Sequence, residues 1–379
     1  MRLFWEGLFS ASGFIERANR ELVKAAARRG NQVMIRAHDD VDFVNLRQSG
    51  IAVVPGGIPA DWHIRCNWVP NWYDQVGPLL LYQPFEYATA ADDWIEGFKR
   101  FVDYLIVPSE TDYHFLIKRG IQSDRLSVVP PGVNLTLFQS DGEKLTSDTL
   151  RAVRFLWLGE LPYRDGLDKV LRAYLTAFRR SDDVSLMIQI PQKNPDDWDA
   201  SLPMELRQAL RHPNAPHITV ITQSLTDEQS ATVLRSAHVL VAPYRGFGLQ
   251  QPLLEAMACG TPVMASGTDP YITVVPSDYG WRLSGHLVSI TPPWAQVAGW
   301  QYEVNHEDLV NLMRTVAQRP PSNAMRQKVQ DSVQSYSWES VWDRWEMRLS
   351  KSSEAYRMKT KPSSHAALIW RGPIRNASG

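Results

Sequence analysis

The sequence predicts an α/β protein of two similar domains in tandem, with a cleft between them. Short apolar, β-rich runs alternate with amphipathic helical patterns, as in parallel sheets with helical crossovers. This alternation restarts after the polar stretch 130–150, which suits a linker. In addition, 379 residues are more than one hydrophobic core usually accommodates.

The first half alternates predicted strands with helices. The strands are expected at 2–5, 32–37, 51–55, 79–83, 104–109 and 126–132. The stretch 12–30 predicts a helix with Ser12 as N-cap and Gly30 at its end, and 111–120 repeats this pattern with Thr111 and Gly120. Strand followed by helix, repeated, predicts a parallel sheet.

The second half repeats the pattern with near-continuous apolar strands. Strands are expected at 154–159, 184–190, 218–222, 238–244 and 262–266, and helices at 167–178, 204–211, 227–237 and 252–260. Helices at 306–318 and 337–351 follow, the latter with Ser337 as candidate N-cap. The predicted units are therefore domains at 1–140 and 151–335, a helix at 336–355 and a linker at 356–379.

The end of the chain is similar to its beginning. LIWRGPIRNASG (368–379) matches LFWEGLFSASG (3–13) if one residue is gapped. A chance match is the alternative to a true repeat. A true repeat would mean that a second copy of the whole module begins where this sequence stops, so that another such module would follow Gly379.

Composition excludes several classes of protein. The net charge of -1 gives no general field toward nucleic acid or an anionic membrane. The two cysteines, Cys66 and Cys259, are far apart and have no metal-ligand spacing, so we expect a reducing cytoplasm, with peripheral contact at the inner face of the membrane left open. No run is long and apolar enough for a signal peptide or a membrane span. The D-x-D triplets at 40–42 and 197–199 are assigned to turns rather than to a metal.

Three glycine-rich turns follow predicted strands, where open α/β sheets bind ligands. The first, WEGLFSASGF, contains Gly7, Ser10, Ser12 and Gly13; the others are WLGELPYRDGLDKV and PYRGFGLQQPLLEAMACGTPV. A single such turn is an ordinary connection between strand and helix. Turns in both halves predict a ligand held between the domains.

Together with 12–30, the stretches VPSETDYHFLIKRGIQSDRLSVVPPGVNLTLF, FLWLGELPYRDGLDKVLRAYLTAF and PYRGFGLQQPLLEAMACGTPV resemble the retaining GT-B glycosyltransferases of family 4. The resemblance covers most of residues 1–350. It implies two Rossmann-like domains, a nucleotide-sugar donor bound mainly by the second, an acceptor on the first and no obligatory metal. The closing helix SWESVWDRW would cross back onto the first domain.

The donor-site motifs of that family are only partly present. Departure of a nucleoside diphosphate builds negative charge, which cations and helix N-termini stabilise. Glu255 matches the second of two motif glutamates and is the candidate for ribose hydroxyls, whereas Phe247 stands where the first is expected. Glu160 and Asp165 stand where the family has Arg and Lys, and two carboxylates there would repel a diphosphate.

Arg164 is the cation that could compensate for these losses, because its planar fork binds phosphate in a bidentate way. For Arg245 two readings stay open: a replacement phosphate contact, or an ion pair with Glu160 or Asp165. The amides around the third turn would face the sugar and the diphosphate. The candidates there are Gly248, Gln250, Gln251 and Pro252.

The first domain offers further candidates. Glu86 follows an apolar strand where the cleft should be and is the candidate catalytic carboxylate, its alternative being a capping or surface role. His63 is expected to be structural. Arg17, Arg20, Lys24 and Arg28 recur at helical spacing; a solvated face is favoured over membrane docking because the other side is Ala-rich.

The sequence therefore predicts transfer of a hexose from a nucleotide diphosphate sugar to a saccharide or other polar acceptor, with retention implied by the resemblance. The alternative is a catalytically weakened module that binds a glycan or a partner within a tandem protein. On the first hypothesis, replacing Phe247 with Glu should raise the activity.

Overall fold

The computed structural model describes residues 1–9, 13–39, 43–146, 151–159, 161–190, 202–248, 251–293, 295 and 297–359. Two parallel sheets carry the fold. The predicted sites Ser10, Ser12, Glu160 and Gln250 lie outside the described residues. Both D-x-D triplets, at 40–42 and 197–199, and the repeat-like end of the chain also lie outside the described residues.

Within the described residues the first sheet has seven parallel strands in the order β3-β2-β1-β4-β5-β6-β7. Its strands are β1 (Arg2–Gly7), β2 (Gln32–Ala37), β3 (Ala52–Val53), β4 (Trp62–Cys66), β5 (Leu79–Tyr82), β6 (Tyr104–Val107) and β7 (Leu126–Val128). The order reverses between β1 and β4, and such a reversal opens a crevice at the carboxyl ends of the strands.

The second sheet repeats that plan with six described strands in the order β10-β9-β8-β11-β12-β13, all parallel. They are β8 (Val153–Leu158), β9 (Val184–Gln189), β10 (His217–Ile221), β11 (Val239–Ala242), β12 (Val263–Ser266) and β13 (Trp281–Leu283). An antiparallel hairpin follows, formed by β14 (Gly285–Ile290) and β15 (Gly299–Val304). The crevice of this sheet lies between β8 and β11.

Helices connect and cover the strands. They are α1 (Phe14–Arg28), α2 (Phe43–Gln48), α3 (Asp92–Phe101), α4 (Glu110–Lys118), α5 (Leu167–Ala177), α6 (Met204–Arg211), α7 (Asp227–Ser236), α8 (Gln251–Ala258), α9 (Tyr271–Val274), α10 (His306–Gln318), α11 (Asn323–Ser332) and α12 (Trp338–Lys359). The predicted architecture of two Rossmann-like domains is confirmed.

Helix starts depart from the predictions at two of three positions. The N-cap of α1 is Gly13 rather than Ser12. The N-cap of α4 is Ser109 rather than Thr111, because the Ser109 hydroxyl accepts from the amide of Asp112. Ser337 is confirmed, since its Oγ accepts from the amide of Ser340 at 3.1 Å. Side-chain capping of a free amide decides the starts of α4 and α12, whereas α1 begins at a glycine without a side-chain cap.

Strand β4 has no counterpart among the predicted strands, because WHIRC contains two polar residues. The structure buries both: His63 packs on Phe4, and Arg65 is 2% exposed with its Nε donating to Glu6 Oε2 at 2.6 Å. Glu6 and Arg65 are neighbours in register across β1 and β4. A paired buried charge can therefore replace an apolar residue, which a search for apolar runs cannot detect.

The last helix, α12, returns to the first domain and packs on α1. Its tryptophans Trp338, Trp342 and Trp345 are at most 2% exposed, and Trp345 stacks on Trp5 of β1. Arg28 and Arg29 at the end of α1 pair with Glu339 and Asp343. The predicted crossing of the C-terminal helix is thus confirmed, and it rests on a buried aromatic face with ion pairs at its edge.

Candidate functional site

A cavity of about 760 Å³ lies between the two domains, at the carboxyl ends of both sheets. All three predicted glycine-rich turns contribute to its wall. The residues that line it include Gly13, Phe14, Glu86, Tyr87, Arg164, Asp165, Gly246, Gly248 and Pro252. The cavity is thus where the sequence predicts a ligand held between the domains.

Glu86 enters this cavity from the loop after β5. Its main-chain oxygen accepts a hydrogen bond from the amide of Phe247 at 2.6 Å, which joins the first domain to the third glycine-rich turn. Its carboxylate lies against Gly246 and Gly248: a Cβ at either position would come within 2.8 Å and 3.0 Å of its oxygens. Both positions therefore require glycine while Glu86 occupies the turn.

Arg164 links this carboxylate to the second glycine-rich turn. It donates to Glu86 Oε1 at 2.8 Å and to both oxygens of Asp165 at 2.6 and 3.1 Å. Burial alone would lower the pKa of Arg164, but Glu86 and Asp165 outweigh burial and raise it. Arg164 is the only cation among the described lining residues, and these bonds use three of its five N–H donors.

Asp165 is an internal partner of the loop that carries Arg164. Its Oδ2 accepts from the amide of Leu161 at 3.0 Å, and its main-chain oxygen accepts from Trp157 Nε1 at 2.8 Å. Gly166 next to it has φ +72, and a Cβ there would lie 2.3 Å from the main-chain oxygen of Pro243. The predicted repulsion of a diphosphate by Asp165 is therefore reduced, because the charge is matched by Arg164.

Glu160, one of the two partners predicted for Arg245, lies outside the described residues. Arg245 pairs with Asp168 and Glu303 instead of the other predicted partner, Asp165, and it lies 4.2 Å from the Tyr163 ring centroid. All five of its N–H donors are used, on these carboxylates and on the main-chain oxygen of Tyr163. No donor of Arg245 is left for a phosphate without breaking this network.

Glu255 lies on α8, one helical turn after the lining residue Pro252. It is 3% exposed, and its Oε1 accepts from Gln251 Nε2 at 3.1 Å and from Arg17 of α1. Burial raises the pKa of the Glu255 carboxyl, and Arg17 only partly offsets this effect. Gln251 Oε1 is buried and has no hydrogen-bond partner within the described part of the chain.

The basic face of α1 was expected to be solvated, and this expectation is wrong for Arg17, which is 5% exposed. Arg17 pairs with Asp227 at 2.8 Å and with Glu255, both from the second domain. Lys24 pairs with Glu21 and Arg28 with Glu339. Sequence reasoning missed Arg17 because its partners are more than 200 residues away in the chain.

The first glycine-rich turn is described at both of its glycines. A Cβ at Gly7 would lie 2.7 Å from Asn19 Nδ2, which donates to the main-chain oxygen of Cys66 at 3.1 Å. A Cβ at Gly13 would lie 2.2 Å from Glu16 Oε2. Gly7 therefore permits close packing of α1 on β1, and Gly13 places the N-terminus of α1 in the cavity wall.

Phe247 points away from the cavity. It is 2% exposed and belongs to the core of the second domain, with Met264, Leu283 and Tyr302. The sequence interpretation that Phe247 occupies a polar position of the site is corrected by this placement, because its side chain packs among apolar residues. His63 is likewise buried, and burial lowers its pKa.

The hairpin β14–β15 is a wall of the cavity that the sequence did not predict. The turn between its strands contributes Pro292 and Pro293 to the lining. The amide of Trp300 donates to the main-chain oxygen of Tyr87 at 2.8 Å, and Thr89 Oγ1 donates to that of Val297 at 2.9 Å. The hairpin thereby joins the second domain to the loop that carries Glu86.

The described residues contain neither a metal-binding cluster nor a membrane-spanning helix. No group of three or more His, Cys, Asp or Glu side chains there could hold a metal ion. No helix there is long and apolar enough to cross a membrane.

Comparison with known proteins identifies the domain type. Residues 152–281 match the family model described as Glycosyl transferases group 1. The chain is 29% identical over 178 residues to an MMP alpha-(1->4)-mannosyltransferase of Mycolicibacterium hassiacum (46% of this chain, 39% of the relative). It is 28% identical over 238 residues to a D-inositol 3-phosphate glycosyltransferase of Paenarthrobacter aurescens (59% and 56%). The matches therefore span about half of these relatives' lengths.

A third relative, a phosphatidyl-myo-inositol mannosyltransferase of Mycobacterium tuberculosis, is 34% identical over 175 residues, which cover 45% of this chain and 41% of that protein. The resemblance stated from the motifs is confirmed by these matches.

Solved structures confirm the fold. Alr3699/HepE of Anabaena in complex with UDP and glucose superposes with a TM-score of 0.65 at 13% identity, covering 93% of this chain and 100% of that one. Sucrose-phosphate synthase of Thermosynechococcus elongatus gives 0.66 at 16% identity, covering 95% and 99%. The two sheets thus form a GT-B fold.

Proposed function

We propose that this chain, with a glycosyl transferases group 1 domain on a GT-B fold, transfers a hexose from a nucleotide diphosphate sugar to a saccharide or other polar acceptor. The acceptor would lie on the first domain, and the anomeric configuration would be retained. The observation that carries the proposal is the cavity at the carboxyl ends of both sheets, where Arg164, Glu86 and the third glycine-rich turn meet.

The diphosphate would bind at the second and third glycine-rich turns. Arg164 is the cation there, and its two unused N–H donors can bind phosphate oxygens while Asp165 holds the fork in place. Backbone amides in the first turn of α8, which begins at Gln251, would add donors at a helix N-terminus, where the helix dipole favours an anion. These groups stabilise the charge that develops as the diphosphate leaves.

Glu86 would be the catalytic carboxylate, acting on the sugar at the turn formed by Gly246 and Gly248. Its position requires the first domain to close on the second, since Glu86 and the turn lie on different sheets. The bond from Arg164 orients the Glu86 carboxylate, which would accept hydrogen bonds from sugar hydroxyls or stabilise a cationic transition state. Glu255, with Gln251, would hold the ribose.

Arg164 contacts two carboxylates of the cavity, Glu86 and Asp165. A diphosphate that binds Arg164 must therefore compete with Glu86 for this cation. This competition permits binding only if the donor forms more contacts with the protein than it displaces.

The proposal is tested by incubating the protein with UDP-glucose or GDP-mannose and measuring release of the nucleoside diphosphate, with and without oligosaccharide acceptors. We expect donor-dependent release, and about 100-fold lower kcat for Glu86→Gln, a typical loss for a catalytic acid-base group. The exposed Glu96→Gln on α3 is the matched control. Retention is checked by the anomeric proton signals of the product.

Nucleotide binding without release would leave the chain as a binding module, the alternative raised by the sequence. Absence of both binding and release with every donor would contradict the proposed function.

A further inference from the structure

Arg17 is a buried cation that crosses from the first domain into the second. It lies on the first turn of α1, behind the cavity wall formed by Gly13 and Phe14, and its guanidinium lies 5.9 Å and 5.7 Å from the ring centroids of Phe14 and Phe138. Packing between two rings fixes the direction in which its fork points.

The two carboxylates that Arg17 contacts belong to different helices of the second domain. Asp227 begins α7 and is bonded through Nη2 at 2.8 Å, and Glu255 on α8 is bonded through Nη1. Asp227 is 27% exposed at its side chain, whereas Glu255 is 4% exposed. Asp227 therefore retains access to water without Arg17, but Glu255 does not.

The environment of Glu255 makes it dependent on this cation. Its Oε1 accepts both from Arg17 and from Gln251, which leaves Oε2 for a ligand hydroxyl. Burial raises the pKa of Glu255, Arg17 lowers it, and Asp227 raises it again. The charged and titratable groups that face Glu255 are Arg17 from α1, Asp227 from α7, Tyr244 from the loop after β11 and Cys259 at the end of α8.

We propose that Arg17 is a positioning residue for the donor site: when the cleft closes, it enters the second domain, orients Glu255 and keeps it able to accept hydrogen bonds from the nucleoside. This inference rests on the proposed function, in which Glu255 and Gln251 bind the ribose. Closure of the domains and completion of the nucleoside site are then one event, because the cation comes from one domain and the carboxylate from the other.

The buried oxygen of Gln251 supports the assignment. Gln251 is 0% exposed, its Nε2 is used on Glu255, and its Oε1 has no hydrogen-bond partner among the residues that the structure describes. A buried acceptor without a donor is costly unless a ligand satisfies it. A pair of vicinal hydroxyls could donate to Gln251 Oε1 and to Glu255 Oε2 together, which is the chemistry of a ribose.

An opening of the cleft has a defined electrostatic consequence. Without Arg17, Glu255 would be a buried carboxylate beside Asp227, and the neutral form would be favoured because neither burial nor a like charge stabilises the ion. A protonated Glu255 would accept hydroxyl donors less well than the carboxylate does. Loss of Arg17 should therefore weaken nucleoside binding and move its acid limit to higher pH.

The experiment measures Kd by calorimetry for UDP and GDP between pH 5 and 8, on the full chain carrying Arg17→Ala or Arg17→Lys. We expect Arg17→Ala to weaken nucleotide binding on the order of tenfold at pH 7, as when one partner of a buried charged pair is removed. Its loss of affinity on acidification should begin at higher pH than in the wild type. Arg17→Lys, which keeps the charge, should restore much of the affinity and the original pH profile.

Arg28→Ala is the matched control, since Arg28 lies on the same helix but pairs with the exposed Glu339. Arg17→Ala combined with Glu255→Gln guards against a folding defect, because it removes the unpaired carboxylate. We expect this double variant to unfold at a higher temperature than Arg17→Ala and to bind nucleotide as weakly at pH 7, without the shifted acid limit.

The outcomes distinguish the role of Arg17 from the proposed function. A folded Arg17→Ala protein with wild-type Kd and wild-type pH profile would overturn the role of Arg17 and leave the proposed function standing. A wild-type protein that binds neither nucleotide, nor their sugar conjugates, would overturn the proposed function itself.

Discussion

At the scale of single residues, Phe247 shows how the surroundings decide what a side chain contributes. The sequence places it at a motif position, but the structure packs its ring in the core of the second domain. Only its amide takes part in the site, by donating to the main-chain oxygen of Glu86. The side chain and the backbone of one residue thus serve different purposes.

Replacing Phe247 with Glu should therefore destabilise the protein rather than activate it. We expect a loss of about 3–5 kcal/mol in the free energy of unfolding, because a carboxylate would be buried without a partner. Phe247→Leu, which keeps an apolar side chain, should cost only about 1 kcal/mol. Urea unfolding measures both, and an activated, equally stable Phe247→Glu protein would contradict this placement.

In the proposed donor site, Arg164 is the cation that would bind the diphosphate. Arg164→Lys keeps the charge but loses the planar fork that holds Asp165 through two nitrogens. We expect it to weaken nucleoside diphosphate binding by roughly tenfold, and Arg164→Ala by more, as for charge-assisted contacts. Titration calorimetry decides this, and unchanged affinity in both variants would remove Arg164 from the site.

At the scale of secondary-structure elements, Arg245 joins the loop before α5 to strand β15. It pairs with Asp168 at the start of α5 and with Glu303 on β15, and the main-chain oxygen of Arg245 accepts from the amide of Tyr302 at 3.0 Å. The hairpin is held against the second glycine-rich turn by this network. The predicted phosphate contact is replaced by a role in holding the cavity wall.

Removing this cation should loosen the hairpin. Arg245→Met leaves Asp168 without its ion pair and Glu303 with Lys169 alone, and we expect a loss of about 3 kcal/mol in the free energy of unfolding at pH 7, the lower end of the range for a broken buried pair. Amide exchange in β15 should accelerate at the same time. Lys99→Met, which breaks an exposed pair with Glu96, is the control and should change the free energy by less than about 1 kcal/mol.

The same network predicts a pH dependence. Burial alone would raise the pKa values of Asp168 and Glu303, but hydrogen bonds from Arg245 outweigh burial and hold them below their ordinary 3.8 and 4.5. Carboxyls with lowered pKa values stabilise the fold above their unfolded-state pKa and lose this contribution as the pH falls through the folded-state values. The stability gap between wild type and Arg245→Met should thus be full at pH 7 and narrow below about pH 4. A gap that widens on acidification would contradict this assignment.

Helix α12 is the second element whose packing can be tested. Trp345 stacks on Trp5 with ring centroids 5.6 Å apart and meets the edge of Tyr82 at 5.2 Å. Trp345→Ala should cost about 3–5 kcal/mol through the cavity it leaves. Met347→Ala, on the same helix but 56% exposed, should change little. Equal losses in both would show that α12 does not cross onto the first domain as described.

At the scale of the whole molecule, the sequence was sufficient for the architecture and insufficient for the site. Alternation of apolar runs predicts both sheets because parallel strands buried on two faces leave that signal. It misses β4, whose buried Arg65 is paired with Glu6, and the hairpin β14–β15, in which no residue of β14 is buried. A local pattern cannot reveal either kind of strand, because distant partners compensate for the polar residues.

The same contrast separates the site residues that the sequence predicts from those that it misses. Glu86, Arg164, Gly13, Gly248 and Pro252 lie in the cavity wall because each is fixed by the turn that carries it. Arg17, Asp168 and Glu303 were not found, since their roles depend on partners in other elements or in the other domain. We propose that the domain limits near residues 140 and 151 stand as predicted from the sequence.

The interface between the domains is polar and carries the site. Contacts between them include Arg17 with Glu255, Arg164 with Glu86, and Asp269, which accepts from Thr111. Such an interface, rather than a continuous apolar core, is typical of domains that move relative to each other. A donor that bridges the cleft would stabilise the closed arrangement.

The most direct test of the central claim is thermal unfolding of the wild-type protein with UDP, GDP or ADP at millimolar concentration. We expect at least one of these nucleotides to raise the melting temperature, since a ligand at 100 times its Kd stabilises the folded state by about 2.7 kcal/mol. We also expect Arg164→Ala to abolish this increase, measured against the melting temperature of the same variant without ligand. Unchanged melting of the wild type with all three nucleotides would contradict the claim that this cavity binds a nucleoside diphosphate.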